Sequence, residues 1–77
     1  MFAIRQIKNA FDCLGILKVR TIEKDLLNRE ITYRIYLLDI IKISSNDIEE
    51  IATMKKLNYA GCDVYENASY FDLILYH

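Results

Sequence analysis

The chain has 77 residues and a formal net charge of −1; 53% of its residues are hydrophobic and 27% are charged. This length predicts one domain spanning residues 1–77, and the hydrophobic share excludes the highly charged, weakly hydrophobic composition of disordered proteins. The near-neutral balance also argues against a strongly basic nucleic-acid-binding domain. The charge is unevenly distributed, with a net +3 in residues 1–44 and −4 in residues 45–77. The two halves therefore offer opposite potentials to a partner.

Cysteine usage and hydropathy predict a cytoplasmic protein with no membrane contact. The first residues carry a polar side chain every few positions, unlike a signal peptide, and no stretch approaches the ~20 apolar residues that span a bilayer. Cys13 and Cys62 lie far apart and form no CxxC motif, so we expect free thiols in a reducing compartment. Abundant isoleucine, lysine and asparagine, without proline or tryptophan, suit an AT-rich genome such as that of a phage.

The first predicted element is an amphipathic helix over residues 2–14. Apolar residues recur at helical spacing, namely Ala3, Ile7, Ala10 and Leu14. Gly15 follows, at a position where helices often end with a left-handed residue. The apolar stripe is typical of a helix face that packs on a protein core.

Residues 17–27 predict a strand that turns at Asn28-Arg29, because Asn tolerates the left-handed conformation of a tight hairpin. With a two-residue turn, apolar residues pair with apolar residues across the two strands, and acidic residues pair with basic ones. The resulting pairs are Leu26/Ile31, Ile22/Ile35, Val19/Leu38 and Glu23/Arg34. Because the apolar pairs change faces along the hairpin, we expect either strong coiling of the strands or a β-bulge near residues 20–22.

The longest run that favours a strand is residues 31–43, which mixes β-branched and aromatic residues and contains no Gly or Pro. Both alternate sets of side chains are mainly apolar, one containing Ile31 and Ile35 and the other Tyr36 and Leu38. A strand with one solvated face would alternate cleanly with polar residues. This run therefore predicts a central strand that is covered on both sides for much of its length.

The second half of the chain predicts a helix followed by two strands. In the helix, Asn46 and Glu49 have the spacing of a capping box, and Gly61 marks its end. Residues 62–66 and 70–76 are two short strands. The order α-β-β-α-β-β predicts an α+β fold with one mainly antiparallel four-stranded sheet and two helices on one face.

The last hairpin has two alternative registers. A two-residue turn sets Asp63 directly opposite Asp72, and like charges in such a pair are destabilising. A four-residue connection instead pairs Asp63 with Ile74 and Val64 with Leu73, which removes the repulsion, and we favour it. If the two carboxylates do pair, they would form a site for a cation or for a partner's Lys or Arg.

No catalytic, metal or nucleotide-binding motif occurs in the sequence. The single histidine is His77, the last residue, so neither a Ser/His/Asp nor a Cys/His arrangement has a well-held base. No glycine-rich phosphate loop or dinucleotide motif is present. We therefore expect a protein that is not an enzyme and that uses no cofactor or metal.

Aromatic and leucine side chains are the candidates for partner binding. The chain has six tyrosines, whose broad rings and hydrogen-bonding tips suit a binding surface. The predicted partner-binding residues are Tyr65, Tyr70 and Tyr76 on the uncovered sheet face, and Leu26, Leu27 and Arg29 at the tip of the first hairpin. We expect a regulator or inhibitor that binds another protein, or itself as a homodimer; the alternative is that the tyrosines cover the sheet without any partner.

Single-stranded nucleic acid is the alternative ligand. Four cations and two aromatic residues share the first hairpin, namely Arg20, Lys24, Arg29, Arg34, Tyr33 and Tyr36. They loosely resemble the basic groove and stacking platform of single-strand binders. Three acids share the same hairpin, namely Glu23, Asp25 and Glu30. Because these acids would repel phosphate, we favour a protein partner.

Overall fold

The computed structural model describes residues 4–12, 19–38 and 43–76. Its elements follow the predicted order and are α1 (Ile4–Asp12), β1 (Val19–Leu27), β2 (Glu30–Leu37), α2 (Ser45–Met54), β3 (Tyr59–Val64) and β4 (Tyr70–Tyr76). The predicted ends of the first helix, together with Cys13, Gly15 and His77, fall outside the described residues. Neither α1 nor α2 has the length and apolar character needed to cross a membrane.

The four strands form one sheet in the order β1-β2-β4-β3, and every neighbouring pair is antiparallel. Strands β2 and β4 occupy the centre, while β1 and β3 form the edges. Between β2 and β3 the chain includes α2, and the hairpin that follows places β4 beside β2. The predicted α+β fold with a four-stranded antiparallel sheet is confirmed.

The β1–β2 hairpin confirms most of the predicted register. Asn28 has a φ of 58° in the turn, the left-handed conformation that a tight hairpin needs. The predicted pairs Leu26/Ile31, Ile22/Ile35 and Glu23/Arg34 are present. The register then shifts between Val19 and Thr21, so Val19 lies opposite Leu37 rather than Leu38. The irregularity falls where the change of faces predicts a bulge, and it accounts for the one-residue difference.

Alternate residues of the strands and one side of each helix form a single hydrophobic core. The strands contribute Ile22, Ile31, Tyr33, Ile35, Leu37, Phe71, Leu73 and Leu75, and the helices contribute Ile7, Ala10, Phe11, Ile48, Ile51 and Ala52. The rings of Phe11 and Phe71 meet edge to face with centroids 5.5 Å apart, a favoured aromatic geometry. Both helices therefore pack on one face of the sheet, as predicted.

Helix α2 has a capping box at a different position from the predicted one. Ser44 is the N-cap: its hydroxyl accepts from the Asp47 backbone N–H at 3.2 Å, and the Asp47 carboxylate accepts from the Ser44 N–H at 3.3 Å. The predicted residues Asn46 and Glu49 have the same spacing but lie inside the helix. Ser44 takes the role because its backbone is extended, as an N-cap requires.

Helix α2 also ends earlier than predicted, at Met54 rather than at Gly61. Lys56 adopts the left-handed conformation, with a φ of 58°, so the chain turns there without a glycine. Strand β3 then begins at Tyr59, and Gly61 lies within it, beside a register shift against β4. Glycine inside a strand often marks such an irregularity, which is why interpreting Gly61 as a helix stop was wrong.

Strand β2 is central, as predicted, but only one of its faces is fully buried. The strand ends at Leu37, and Leu38 is 58% exposed; residues 39–42 of the predicted strand lie outside the described residues. On the second face Arg34 and Tyr36 are only half-buried, because both helices pack on the other side. The prediction that this strand is covered on both sides is therefore wrong.

The buried face of β2 yields a stability prediction. Ile35 is fully buried and Leu37 is nearly so, and truncating a buried large aliphatic side chain typically costs ~2–5 kcal/mol. We expect Ile35→Ala or Leu37→Ala to lower the free energy of unfolding by that amount, measured by denaturant titration. Leu38→Ala makes a similar truncation at an exposed site and should change little. Equal effects at Ile35 and Leu38 would contradict the placement of this strand.

Candidate functional site

The side of the sheet that points away from both helices, which we call the open face, is polar and aromatic. Its described side chains are Thr32, Arg34, Tyr36, Tyr70, Asp72 and Ile74 in the centre, Asp25 and Asp63 on the edge strands, and Glu30 and Tyr76 at one end. Successive side chains of a strand point to opposite sides, so these residues alternate along the strands with those of the core. The same strands thus build the core and hold the open face in place.

A bidentate ion pair between Arg34 and Asp72 lies at the centre of the open face. Arg34 Nε donates to Asp72 Oδ1 at 2.9 Å, and Nη2 donates to Oδ2 at 3.0 Å. The Tyr65 hydroxyl donates to the same Oδ2 at 2.6 Å. Asp72 is only 5% exposed, and these three hydrogen bonds supply the partners that a buried carboxylate requires.

These hydrogen bonds shift the ionisation of all three groups. The bonds from Arg34 hold the pKa of Asp72 below its usual value, although burial acts in the opposite direction. The bond to Asp72 also raises the pKa of Arg34, so the guanidinium stays charged. The hydrogen bond that Tyr65 donates to Asp72 raises the pKa of Tyr65, and burial and the negative charge of Asp72 act in the same direction. At neutral pH the network holds an ionised Asp72 and a neutral Tyr65.

Three tyrosines pack around the ion pair, and we call Tyr36, Tyr65 and Tyr70 the tyrosine cluster. Ring centroids lie 5.6 Å apart for Tyr36 and Tyr70, and 5.2 Å apart for Tyr65 and Tyr70. The guanidinium carbon of Arg34 lies 4.6 Å from the centroid of Tyr70 and 5.9 Å from that of Tyr65, within the range of cation–π attraction. The cluster is therefore an ordered aromatic surface that remains partly exposed.

The last hairpin adopts the register that the sequence analysis did not favour. Asp63 lies opposite Asp72, so the predicted four-residue connection that pairs Asp63 with Ile74 is wrong. The like-charge pair is tolerated because Arg34, on the neighbouring strand, neutralises Asp72. Asp63 is exposed, and its carboxylate forms no hydrogen bond or ion pair with another described residue. The cation that Asp72 needs comes from the chain itself.

The predicted binding tyrosines do not form one group. Tyr65 and Tyr70 contact each other in the tyrosine cluster. Tyr76 lies at the opposite end of β4, where it pairs with Glu30, and it is 55% exposed. A β-strand rises ~3.3 Å per residue, so Tyr76 is too far along the strand to join the cluster.

The tip of the first hairpin lies near Tyr76. Glu30 pairs with Leu27 on one side and with Tyr76 on the other, which brings the turn and the end of β4 together. Leu26 is 53% exposed and Arg29 is exposed, whereas the side chain of Leu27 lies outside the described part. We call Leu26, Arg29 and Tyr76 the tip patch; Tyr76 lies on the open face, whereas Leu26 pairs with the core residue Ile31 and points to the helix side of the sheet.

Two tyrosines belong to the core side of the sheet. Tyr33, which the nucleic-acid alternative places among stacking aromatics, is fully buried in the core, so that placement is wrong. Tyr59 packs against the core, and its hydroxyl donates to Cys62 Sγ at 3.2 Å. Burial, followed by this contact with Cys62, raises the pKa of Tyr59. Cys62 is a half-buried free thiol.

Arg34, Asp72 and Tyr36, the three residues that organise the site, were not predicted to lie together. Arg34 and Tyr36 were assigned to the alternative nucleic-acid surface, and Asp72 was considered either as a repulsive charge or, paired with Asp63, as part of a site for a cation or a partner's Lys or Arg. Core and non-core side chains alternate along the two central strands, and this alternation is the sequence signal that could have identified the three residues. Arg34 and Asp72 are charged residues at non-core positions in the middle of β2 and β4, and they meet only if those strands are neighbours.

A groove of about 410 Å³ lies beside the ion pair on the β1 side of the sheet. It is lined by Lys24, Asp25, Thr32, Arg34, Tyr36 and Asp72. Across the described ranges, no group of three or more His, Cys, Asp or Glu side chains is placed to hold a metal ion. The charged side chains of the open face that the structure describes are four acids, Asp25, Glu30, Asp63 and Asp72, against the single cation Arg34.

Comparison of the chain with protein-family models, with curated proteins and with solved structures finds no match. We therefore propose a function from the residues of the open face and of the tip patch.

The ion pair predicts an asymmetry between its two partners. Removing Arg34 leaves the carboxylate of Asp72 nearly buried with one partner, whereas removing the Asp72 charge leaves the Arg34 side chain 40% exposed, where water can solvate it. We expect Arg34→Ala to lower the Tm more than Asp72→Asn does. Thermal melts of both variants and of the double variant give the test. A larger loss from Asp72→Asn would show that the buried carboxylate is not the costly partner.

The lowered pKa of Asp72 predicts acid sensitivity. A carboxylate whose pKa is lower in the folded state contributes stability that is present above the unfolded pKa of ~3.9. That contribution is lost as the pH falls through the folded pKa, so the free energy of unfolding should decrease below about pH 4. Asp72→Asn lacks the titrating group and should show a shallower acid limb, while Asp63→Asn removes the opposite carboxylate and keeps the Asp72 contribution. Identical limbs in wild type and Asp72→Asn would contradict the assignment.

Proposed function

We propose that this chain is a non-catalytic binding protein that regulates or inhibits another protein by docking on it with the open face. The observation that carries the proposal is the tyrosine cluster, an ordered and partly exposed aromatic surface held by the Arg34–Asp72 ion pair. Tyrosine and arginine are enriched among the residues that dominate protein-binding energies. The location that fits this function and the free Cys62 thiol is the cytoplasm.

The network supports binding because it limits the entropy lost on association. Tyr65 is tied to Asp72 by its hydroxyl and packs on Tyr70, so its side chain is already restricted in the free protein. Ordering a free side chain at an interface costs ~0.5–1.5 kcal/mol. An aromatic surface that is ordered beforehand avoids much of this cost, and Tyr65 is still 38% exposed and available for burial.

The tip patch supplies a second contact at the other end of the sheet. Leu26 and Tyr76 are each more than half exposed, and burying apolar surface contributes about 25 cal/mol per Å² removed from water. The edge strands β1 and β3 flank the open face, and exposed edges accept a partner strand. Tyr76 lies on the same open face as the tyrosine cluster, whereas Leu26 alternates to the helix side of the sheet, so a partner that covers both would have to wrap around the tip of the hairpin.

The charges of the open face favour protein over nucleic acid. Among its described side chains, Arg34 is occupied by Asp72, and the other charged groups, Asp25, Glu30 and Asp63, are all acidic and exposed. A nucleic-acid site needs cations that replace the counterions of phosphate. An acidic surface would repel the strand, so the aromatic rings suit a protein partner better.

The test is capture of the partner from the native host, identification by mass spectrometry, and measurement of its affinity for variants. Changing Tyr65 and Tyr70 together to Ala should weaken binding about tenfold or more, the effect of losing interface hot spots. Tyr65→Phe keeps the ring but loses the bond to Asp72, so its affinity should stay closer to that of wild type. Changing Leu26 and Leu27 together to Ser tests the second contact.

The control for these variants is Met54→Ala, which truncates an exposed side chain on α2, away from the open face. Each variant is compared with wild type in a thermal melt, so that loss of binding is separated from loss of fold. Unchanged affinity in the folded Tyr65/Tyr70 double variant would overturn the role of the tyrosine cluster.

A further inference from the structure

The open face carries negative charge that the described part of the chain does not neutralise. Arg34 balances Asp72, but the carboxylates of Asp63 and Asp25 are exposed and form no ion pair or hydrogen bond with another described residue. Lys24 borders the groove next to Asp25 and is itself engaged in another interaction. A partner that covered this face with apolar side chains alone would desolvate both carboxylates without compensation, at a cost in binding energy.

From this charge pattern we infer that the partner docks on the open face with a basic polypeptide segment, whose Lys or Arg side chains pair with Asp63 and Asp25. The inference rests on the proposed function and specifies the chemistry of the partner. Electrostatic complementarity of this kind steers association and rejects partners of the wrong charge. Acidic partners and nucleic acid would both be rejected.

Asp63 is the first contact point. It lies opposite Asp72 on the edge strand β3, two residues before Tyr65, whose ring forms part of the tyrosine cluster. A guanidinium that approached from the edge could pair with the Asp63 carboxylate and lie against an exposed aromatic ring, as Arg34 already does with Tyr70. Arginine suits this place better than lysine because its planar group both pairs with carboxylates and stacks on rings.

Asp25 is the second contact point, on the opposite edge strand. It pairs with Thr32 across the β1–β2 ladder and lines the groove beside Arg34 and Tyr36. The positive charge of Arg34 would repel a partner cation at the centre of the open face. The Arg34–Asp72 ion pair therefore separates the two contact points, Asp63 and Asp25. Strand spacing and residue rise place Asp63 and Asp25 about 15 Å apart. An extended segment covers that distance in about five residues.

The test uses a fluorescently labelled peptide that favours an extended conformation and carries two arginines about five residues apart. The matched control peptide has citrulline in place of both arginines, which keeps the shape and removes the charge. NMR titration at low salt should shift the amide signals of Asp63, Tyr65 and Asp25 with the arginine peptide and not with the citrulline peptide. Added salt should weaken the binding, since exposed ion pairs are screened.

The variant Asp63→Asn with Asp25→Asn should bind the arginine peptide about tenfold more weakly, the combined effect expected of two exposed ion pairs. Glu49→Gln with Glu50→Gln makes the same change in net charge on the exposed side of α2 and should leave the affinity unchanged. Equal binding of both peptides, no shift at millimolar peptide, or equal loss in the two variants would overturn the inference.

Other occupants of the face give different results. A shift of the same amides with an oligothymidine would point to nucleic acid, and a shift with rising protein concentration alone would point to a second copy of this chain; either would overturn the inference. A captured partner could bind the Tyr65/Tyr70 variant more weakly while its affinity is unchanged by salt and by the Asp63/Asp25 variant. That result would overturn the basic segment and leave the proposed function unchanged. Loss in neither variant would overturn the proposed function itself.

Discussion

The ion pair between Arg34 and Asp72 is the interaction on which the open face depends. It joins the two central strands across 38 residues of sequence with two hydrogen bonds, and Asp72 also holds the Tyr65 hydroxyl while Arg34 lies over Tyr70. It explains why β3 and β4 can place two aspartates opposite each other. Without that cation, the register of the last hairpin would bury the Asp72 carboxylate opposite Asp63 with only the Tyr65 hydroxyl as a partner.

The same ion pair favours one register of β2 against β4. A slip of one residue in a strand moves every side chain to the other side of the sheet, so Asp72 would enter the core and Leu73 would leave it. The apolar residues of β4 already oppose such a slip, because Phe71, Leu73 and Leu75 are all fully buried. The buried charge adds a penalty to the wrong register that apolar packing alone would not supply, a role for which buried polar groups are known in some proteins.

Most features of the fold that depend on residues close together in the sequence were predicted correctly. Most of the errors concern features that depend on pairing between residues far apart in the sequence. The first hairpin followed from Asn28 and from apolar and charged pairs on the two adjoining strands of one hairpin, and β4 has the predicted bounds. The register of the last hairpin was wrong because the cation that permits it, Arg34, comes from a strand far away in sequence. The end of α2 was wrong for a different reason: Lys56 adopts a left-handed conformation that usually indicates glycine or asparagine.

The arrangement separates residues that hold the fold from residues that are free to bind. The core side of each central strand is fully buried, so changes there act on stability first. Asp63 and Asp25 lie on the edge strands, and their exposed carboxylates form no ion pair or hydrogen bond with another described residue, so their identity is set by solubility or by a partner rather than by packing. Arg34, Asp72 and Tyr70 belong to both sets, since they stabilise the sheet and shape the surface. The surface of the open face forms only when β2 and β4 pair in the register that joins Arg34 to Asp72. A partner that contacts this face would therefore bind only the correctly paired sheet.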